Sequence, residues 1–185
     1  MYVHIQTTRL RLFTLDDITL APLVLDYFAR NQTFLTPWET VREDSFYTLQ
    51  VQQEMILNDM NHSASGQLVK LWIAKANEPD RIIGSVALSN IVRGAFLSCH
   101  LGYRLDGEEE GKGYMTEALQ ALIDYAFQDL ELHRIEANII PHNVASFRVV
   151  EKLGFMHEGL ARKYLRINGK WEDHVHMVLL NEALE

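Results

Sequence analysis

Leu101-Gly102-Tyr103-Arg104-Leu105-Asp106-Gly107-Glu108-Glu109-Glu110-Gly111-Lys112-Gly113-Tyr114-Met115-Thr116 decides the fold. Leu101, Tyr103 and Leu105 alternate with Gly102 and Arg104, the period of a strand. Gly107, Gly111 and Gly113 then mark a turn. Beyond it Met115, Leu119, Leu122 and Ala126 keep a four-three-four spacing, which predicts an amphipathic helix to about residue 129. A strand that enters a helix through such a turn leaves backbone N–H groups unpaired and pointing one way. Helix N-termini attract anions, so a diphosphate is the natural occupant. Two common phosphate loops are excluded. The Gly107-to-Gly113 run is one residue short of a Walker loop and has glycine where the magnesium-binding hydroxyl belongs. A dinucleotide fingerprint would need a third glycine at Thr116 and a parallel strand before the turn.

Upstream, residues 9–13 alternate as a first strand, and Asp16 or Asp17 is placed to cap a helix to about residue 30. Residues 31–39 read as irregular because Pro37 stops a helix. A second helix is expected over 44–60, followed by a polar loop over 61–66. Strands are expected over 68–76, 81–92 and 95–105, joined by a turn at Glu78-Pro79-Asp80 and a tight hairpin at Arg93-Gly94. Downstream come a strand over 133–140, a helix over 143–153 ended by Gly154, a strand from residue 155, and a strand over 170–180. Asn168-Gly169 between the last two is a type I′ hairpin signal. The order implies an α+β layered fold: a mixed, mostly antiparallel sheet of seven strands with helices on both faces, as one domain over residues 1–185.

The formal net charge of −8 argues against nucleic acid as the main ligand and suits a basic partner. No apolar run reaches the ~18 residues of a membrane span. The start lacks the features of a secretion signal. The single cysteine, Cys99, excludes an internal disulfide and a multi-thiolate metal site. These features point to the cytoplasm. Cys99 reads as buried filler. His174 and His176 share one strand face, but no third ligand lies nearby, so no metal is expected.

The loop and element order resemble the GNAT superfamily of N-acetyltransferases, whose pyrophosphate loop reads Gln/Arg-x-x-Gly-x-Gly/Ala. The resemblance extends over nearly the whole chain. Phe34-Leu35-Thr36-Pro37-Trp38-Glu39, Ser89-Asn90-Ile91-Val92-Arg93-Gly94, His133-Arg134-Ile135, Pro141-His142-Asn143, Leu153-Gly154-Phe155, Glu158-Gly159 and Trp171-Glu172-Asp173-His174 are similar to its RimJ branch. The resemblance implies acetyl-CoA as cofactor. It also implies direct transfer of acetyl to the N-terminal alanine of a basic small-subunit ribosomal protein, by a monomer or homodimer. Glu109, Glu110, Gly111, Lys112, Gly113, Tyr114 and Met115 would supply the pyrophosphate loop. Leu101, Gly102 and Tyr103 would pair with pantetheine like an extra strand and stabilise the developing oxyanion. Asn143 would contact pantetheine, and Ser146 would protonate the departing thiolate.

This chain departs from the pattern in Glu108, Glu109 and Glu110, whose charge opposes a pyrophosphate unless the side chains face water. In the RimL branch a glutamate nineteen residues beyond the serine is implicated as base; here that position is Leu165, so the role does not transfer. Glu39 is the first alternative, to bind or deprotonate an α-amine, followed by Asp173 and His174. Trp38, Tyr103, Tyr164 and Trp171 are candidates for an aromatic acceptor pocket, with strand packing the simpler role for Trp171. Two rival readings share the same loop: an acetyltransferase for a polyamine or amino sugar, and a regulatory or ribosome-assembly protein that binds acyl-CoA without turnover.

Overall fold

The computed structural model describes residues 2–185. Its eight strands form one sheet in the order β1-β2-β3-β4-β5-β6-β8-β7. They are β1 (His4–Gln6), β2 (Leu10–Phe13), β3 (Leu68–Lys75), β4 (Glu78–Val92), β5 (Ser98–Leu105), β6 (Arg134–Ile139), β7 (Met156–Ile167) and β8 (Lys170–Leu180). The helices are α1 (Ala21–Leu35), α2 (Leu49–Ala64), α3 (Tyr114–Gln128) and α4 (Val144–Lys152). This is the expected α+β layering with one more short strand, since residues 4–6 pair antiparallel with β2.

All neighbouring strands run antiparallel except β5 and β6. A parallel neighbour requires a crossover, and α3 provides it. The β5–β6 register begins at Ser98↔Arg134 and stops at Leu101↔Ala137. Past that point β5 stays paired with β4, from Gly102↔Ala87 to Leu105↔Gly84. β6 meanwhile stays paired with β8 through Ile139↔Val175. The two strands therefore part, and a gap opens between them.

Strand alternation assigns each side chain to one of two faces. On the first face Cys99, Leu101, Ile135, Ala137, Ile139, Val175 and Met177 pack with Met115, Leu119, Leu122 and Ala126 of α3 and Val150 of α4. On the opposite face Trp72 and Ile82 pack against Tyr27 and Phe28 of α1, with edge-to-face rings 6.0 Å from Trp72. Beyond β4 that second face changes character. It presents His100 and Arg104 of β5, Glu136 and Asn138 of β6, and His174 and His176 of β8, which alternate with the residues packed under α3 and α4.

Several boundaries differ from the sequence reading. Asp17 caps a single 3-10 turn, Ile18–Leu20, and α1 begins after it with Pro22 in its first turn. The helix does not stop near Arg30, and residues 31–35 are not irregular: burial of Asn31 and Leu35 carries α1 on to Thr36, where Pro37 opens a 3-10 turn. Residues 44–47 form a 3-10 turn, and Thr48 caps α2. The β3–β4 reversal falls at Ala76-Asn77, so Glu78-Pro79-Asp80 already belongs to β4. The Arg93-Gly94 reversal is a longer loop, with β5 starting at Ser98 instead of residue 95. Asn168 (φ 43°) and Gly169 (φ 79°) make the left-handed pair expected of a type I′ turn.

Gly84 anchors the strand that leads to the glycine turn. A Cβ there would stand 2.5 Å from the Arg104 carbonyl oxygen and 3.3 Å from Leu105 Cα, both backbone atoms that cannot move aside. Gly84→Ala is expected to lower unfolding stability by about 1–3 kcal/mol in a urea titration.

Candidate active site

Asp106 begins the turn. Its carboxylate accepts from Glu108 N–H at 3.0 Å and from Arg30 Nε at 2.9 Å, while Asn31 Oδ1 accepts from Gly107 N–H at 3.0 Å. Gly111 (φ 72°) and Gly113 (φ 80°) take left-handed conformations that turn the chain into α3. Gly113 is the N-cap residue, so α3 has no side-chain cap. Among the described residues no acceptor faces the backbone N–H groups of residues 110–115. A Cβ on Gly111 would meet no atom within 4 Å, so the cradle is open. The far side of the loop is held by Arg9: Nη1 donates to Lys112 O at 2.9 Å and Nε to Glu117 at 2.6 Å. The site fits a diphosphate through main-chain donors and helix polarity.

The three glutamates do not crowd the cradle equally. Glu109 is buried and paired with Lys75 at 3.1 Å and Lys112 at 2.9 Å. Burial by itself would raise its carboxyl. Hydrogen bonds from Lys112 and Lys75 outweigh that and hold it below the ordinary 4.5. Glu108 is exposed and reaches Arg81 at 3.1 Å. Glu110 is exposed. Lys112 is half exposed and bonds to Glu109 and to Glu108 O at 2.7 Å.

Leu101 is the last β5 residue paired with β6, and Gly102 and Tyr103 line the gap beyond it. Tyr103 crosses to α4 on the helix-covered face. Ser146 Oγ donates to its hydroxyl at 2.9 Å, and that hydroxyl donates to Ser146 O at 3.1 Å. Burial pushes the Tyr103 phenol up to about 12, so it keeps its proton. Asn143 caps α4: its Oδ1 accepts from Ser146 N–H at 3.1 Å, leaving the amide nitrogen for a ligand. Trp38 stacks on His142, ring centroids 5.6 Å apart, which brings the turn after α1 over the start of α4.

Glu39 is held on both oxygens: Oε2 by Arg42 at 2.6 Å, and Oε1 by Arg104 at 3.1 Å. Its carbonyl accepts from Asn168 N–H at 2.8 Å, so the tip of the β7–β8 hairpin docks on it. A carboxylate clamped by two guanidinium groups is a good strut. It borders a cavity of about 190 Å³ together with Gln32, Tyr47 and Asn168. Asp173 stands apart from the other candidates, its Oδ1 accepting from Lys163 N–H at 2.8 Å in the bulged part of β7. His174 is buried and held below its ordinary value, chiefly by desolvation. Its ring lies 5.5 Å from Tyr164. Trp171 is exposed near the hairpin tip and joins no pocket with Tyr164. Burial raises the Cys99 thiol to about 12, which makes it an inert core residue.

Sequence reasoning named Tyr164, weighed His176 only as a metal ligand beside His174, and missed Glu136 and Asn138. Tyr164 lies 5.2 Å from the His176 ring, and its hydroxyl accepts from Asn138 Nδ2 at 3.4 Å. His176 Nδ1 is 3.0 Å from Glu136 Oε1. The readable signal was the alternation of Arg134, Glu136 and Asn138 between the buried Ile135, Ala137 and Ile139.

Comparison with known proteins gives the family. Residues 8–156 match the family model "Acetyltransferase (GNAT) domain". The chain is 41% identical over 165 residues to a probable N-acetyltransferase, YjcK, of Bacillus subtilis, covering 89% of this chain and 91% of that protein. It is 42% identical over 154 residues to the Escherichia coli [ribosomal protein uS5]-alanine N-acetyltransferase, covering 81% and 77%. The crystal structure of a ribosomal-protein-S5-alanine acetyltransferase from Vibrio fischeri superposes with a TM-score of 0.92 at 36% identity, covering 99% of each chain.

Two outcomes follow from the loop. Asp tolerates the left-handed region, so Gly111→Asp is expected to fold while placing a charge in the cradle. Its acetyl-CoA affinity by calorimetry should fall roughly tenfold or more; unchanged affinity would remove the loop assignment. The second outcome concerns acid. Asp106, Glu109 and Glu117 are each raised by burial but held below ordinary values by stronger hydrogen bonds. Because their folded values are depressed, their contribution is complete above the unfolded values of 3.8 and 4.5 and is lost as pH falls through the folded ones. Melting temperature should drop steeply below pH 4.5, and Glu109→Gln should flatten that limb.

Proposed function

The chain belongs to the GNAT family of acetyl-CoA-dependent N-acetyltransferases, and from that premise we propose that it acetylates the α-amine of a ribosomal protein beginning with alanine. The observation that carries this reading is the 42% identity to the E. coli uS5-alanine enzyme over 81% of the chain. The excess negative charge suits a basic acceptor. The chain acts as one domain, in the cytoplasm.

In this reading the N–H groups of residues 110–115 hold the diphosphate. The unpaired edge of β5 past Leu101 takes pantetheine as an added strand. The thioester then sits where β5 and β6 part, and main-chain N–H groups near residues 101–103 face the oxygen on which charge develops. Positioning of amine and thioester supplies much of the rate. On the helix-covered face the Ser146–Tyr103 hydroxyl pair passes a proton to the leaving sulfur. A phenol raised to about 12 works there as a relay, since it does not give up its proton before another arrives.

Wild-type protein is expected to release thiol from acetyl-CoA with an alanine-starting basic peptide and not with spermine; the reverse pattern would favour a polyamine acceptor. Ser146→Ala should lower kcat by about 10–100-fold with the acetyl-CoA dissociation constant unchanged. A wild-type rate in that variant would remove the hydroxyl from the proton path.

A further inference from the structure

The gap between β5 and β6 has two sides. The helix-covered side carries the Ser146–Tyr103 hydroxyls. The opposite side carries Glu136, Asn138 and His176, and Asn138 pairs with His176 one residue beyond Ala137, where the β5–β6 register ends. These residues stand on the face of the sheet turned away from α3 and α4.

The electrostatics of this group are directional. Arg134 Nη2 donates to Glu136 Oε2 at 2.8 Å, and Arg134 is itself held by Glu158 at 2.6 Å. Burial alone would raise the Glu136 carboxyl, but hydrogen bonds from Arg134, Asn138 and His176 hold it below its ordinary 4.5. An ionised carboxylate only accepts, so the 3.0 Å contact places the proton of His176 on Nδ1 and leaves the Nε2 lone pair available. The other titratable groups facing the pair are His100, 3.6 Å from Glu136 Oε1, and Tyr164 and His174, which pack beside His176. Burial raises Tyr164, which keeps its hydroxyl protonated, and lowers His174, which stays neutral. Among the described residues, Asn138 Oδ1 is buried without a hydrogen-bond partner. An orphaned amide oxygen at the mouth of a reactive gap is a ready acceptor for an incoming N–H.

We propose that His176, oriented by Glu136, is the general base that deprotonates the acceptor α-ammonium, with Asn138 Oδ1 accepting from that ammonium and holding it beside the imidazole. This rests on the acetyl-transfer reading above. One ammonium proton passes to His176 Nε2, and the imidazolium is stabilised by Glu136 until it releases the proton to water. The neutral amine forms the C–N bond to the thioester carbonyl carbon. The C–S bond breaks, and the second amine proton reaches the leaving sulfur through the Ser146–Tyr103 pair. The third stays on the amide nitrogen. Base and acid thus work from opposite sides of the sheet, and Glu136 is a positioning residue.

The test measures transfer to an alanine-starting peptide from pH 6 to 10, with acetyl-CoA calorimetry as the folding control. His176→Gln should lose about 100-fold in kcat/KM at pH 7, as expected of a removed base, with acetyl-CoA affinity retained. The deficit should shrink to about threefold above pH 9, because a free α-amine, with a pKa near 8, deprotonates itself there. Glu136→Gln should lower kcat with KM and acetyl-CoA affinity unchanged, since the imidazole loses the carboxylate that orients it. A wild-type rate for His176→Gln at pH 7, or a deficit equal at every pH, would overturn the base while leaving the acetyltransferase reading intact. A wild-type protein inert toward both the peptide and spermine would overturn both.

Discussion

One interruption of main-chain pairing organises the molecule. β5 and β6 share register only from Ser98↔Arg134 to Leu101↔Ala137, although β5 continues to Leu105 and β6 to Ile139. A sheet normally closes such a seam, because unpaired buried N–H and C=O groups are expensive. Here each strand remains bonded on its other side, β5 to β4 and β6 to β8. The opening thus exposes one edge of each strand while both stay anchored. It follows from the single parallel pairing in the sheet: α3 must leave the end of β5 and return to the start of β6, and its N-terminus comes to rest at the mouth of the gap. The proposed diphosphate cradle and thioester slot are two consequences of the same crossover.

The acidic turn shows how a charge run can be made compatible with an anionic ligand. Glu109 is turned inward onto Lys75 and Lys112, Glu108 outward onto Arg81, and Asp106 onto Arg30. The carboxylates fix the loop from beneath and beside it, while the N–H groups above remain free. Arg9 completes the arrangement from β2, bonded to the Lys112 carbonyl and the Glu117 carboxylate and lying 4.6 Å over the Tyr114 ring. Folding of the N-terminal strands and formation of the cradle are therefore linked.

The fold was largely legible in the sequence because its decisive signals are local. The four-three-four spacing after Gly113, the Asn168-Gly169 turn and the Asn143 cap each depend on a few adjacent residues, and all three elements lie where those residues put them. Boundaries slipped where long-range packing decided. α1 runs past Arg30 because Leu35 packs with Phe28 and Phe46, a fact that no window of local sequence contains. Candidate residues divide in the same way. Ser146 meets Tyr103 across forty-three positions, and Glu39 is clamped by Arg104, a residue in another layer. Glu136 was overlooked because an acidic residue on a strand has no distinguishing local pattern; only the sheet register sets it beside His176, forty residues away.

The division of labour between the two faces follows from strand alternation. Along β5, Leu101 and Tyr103 point to the helix-covered face while His100 and Arg104 point away, and β6 and β8 alternate in step. A ligand lying in the seam is consequently flanked by one set of side chains on each side, and the two sets are chemically unlike. The helix-covered side offers neutral hydroxyls in an apolar setting, where a proton can be handed on but a charge is unwelcome. The open side offers carboxylates, imidazoles and guanidinium groups near water, where an arriving ammonium is stabilised and a released proton can escape. Acetyl transfer from a thioester to an amine, as proposed, uses both environments at one carbon atom. A sheet that parts at that point brings the two together.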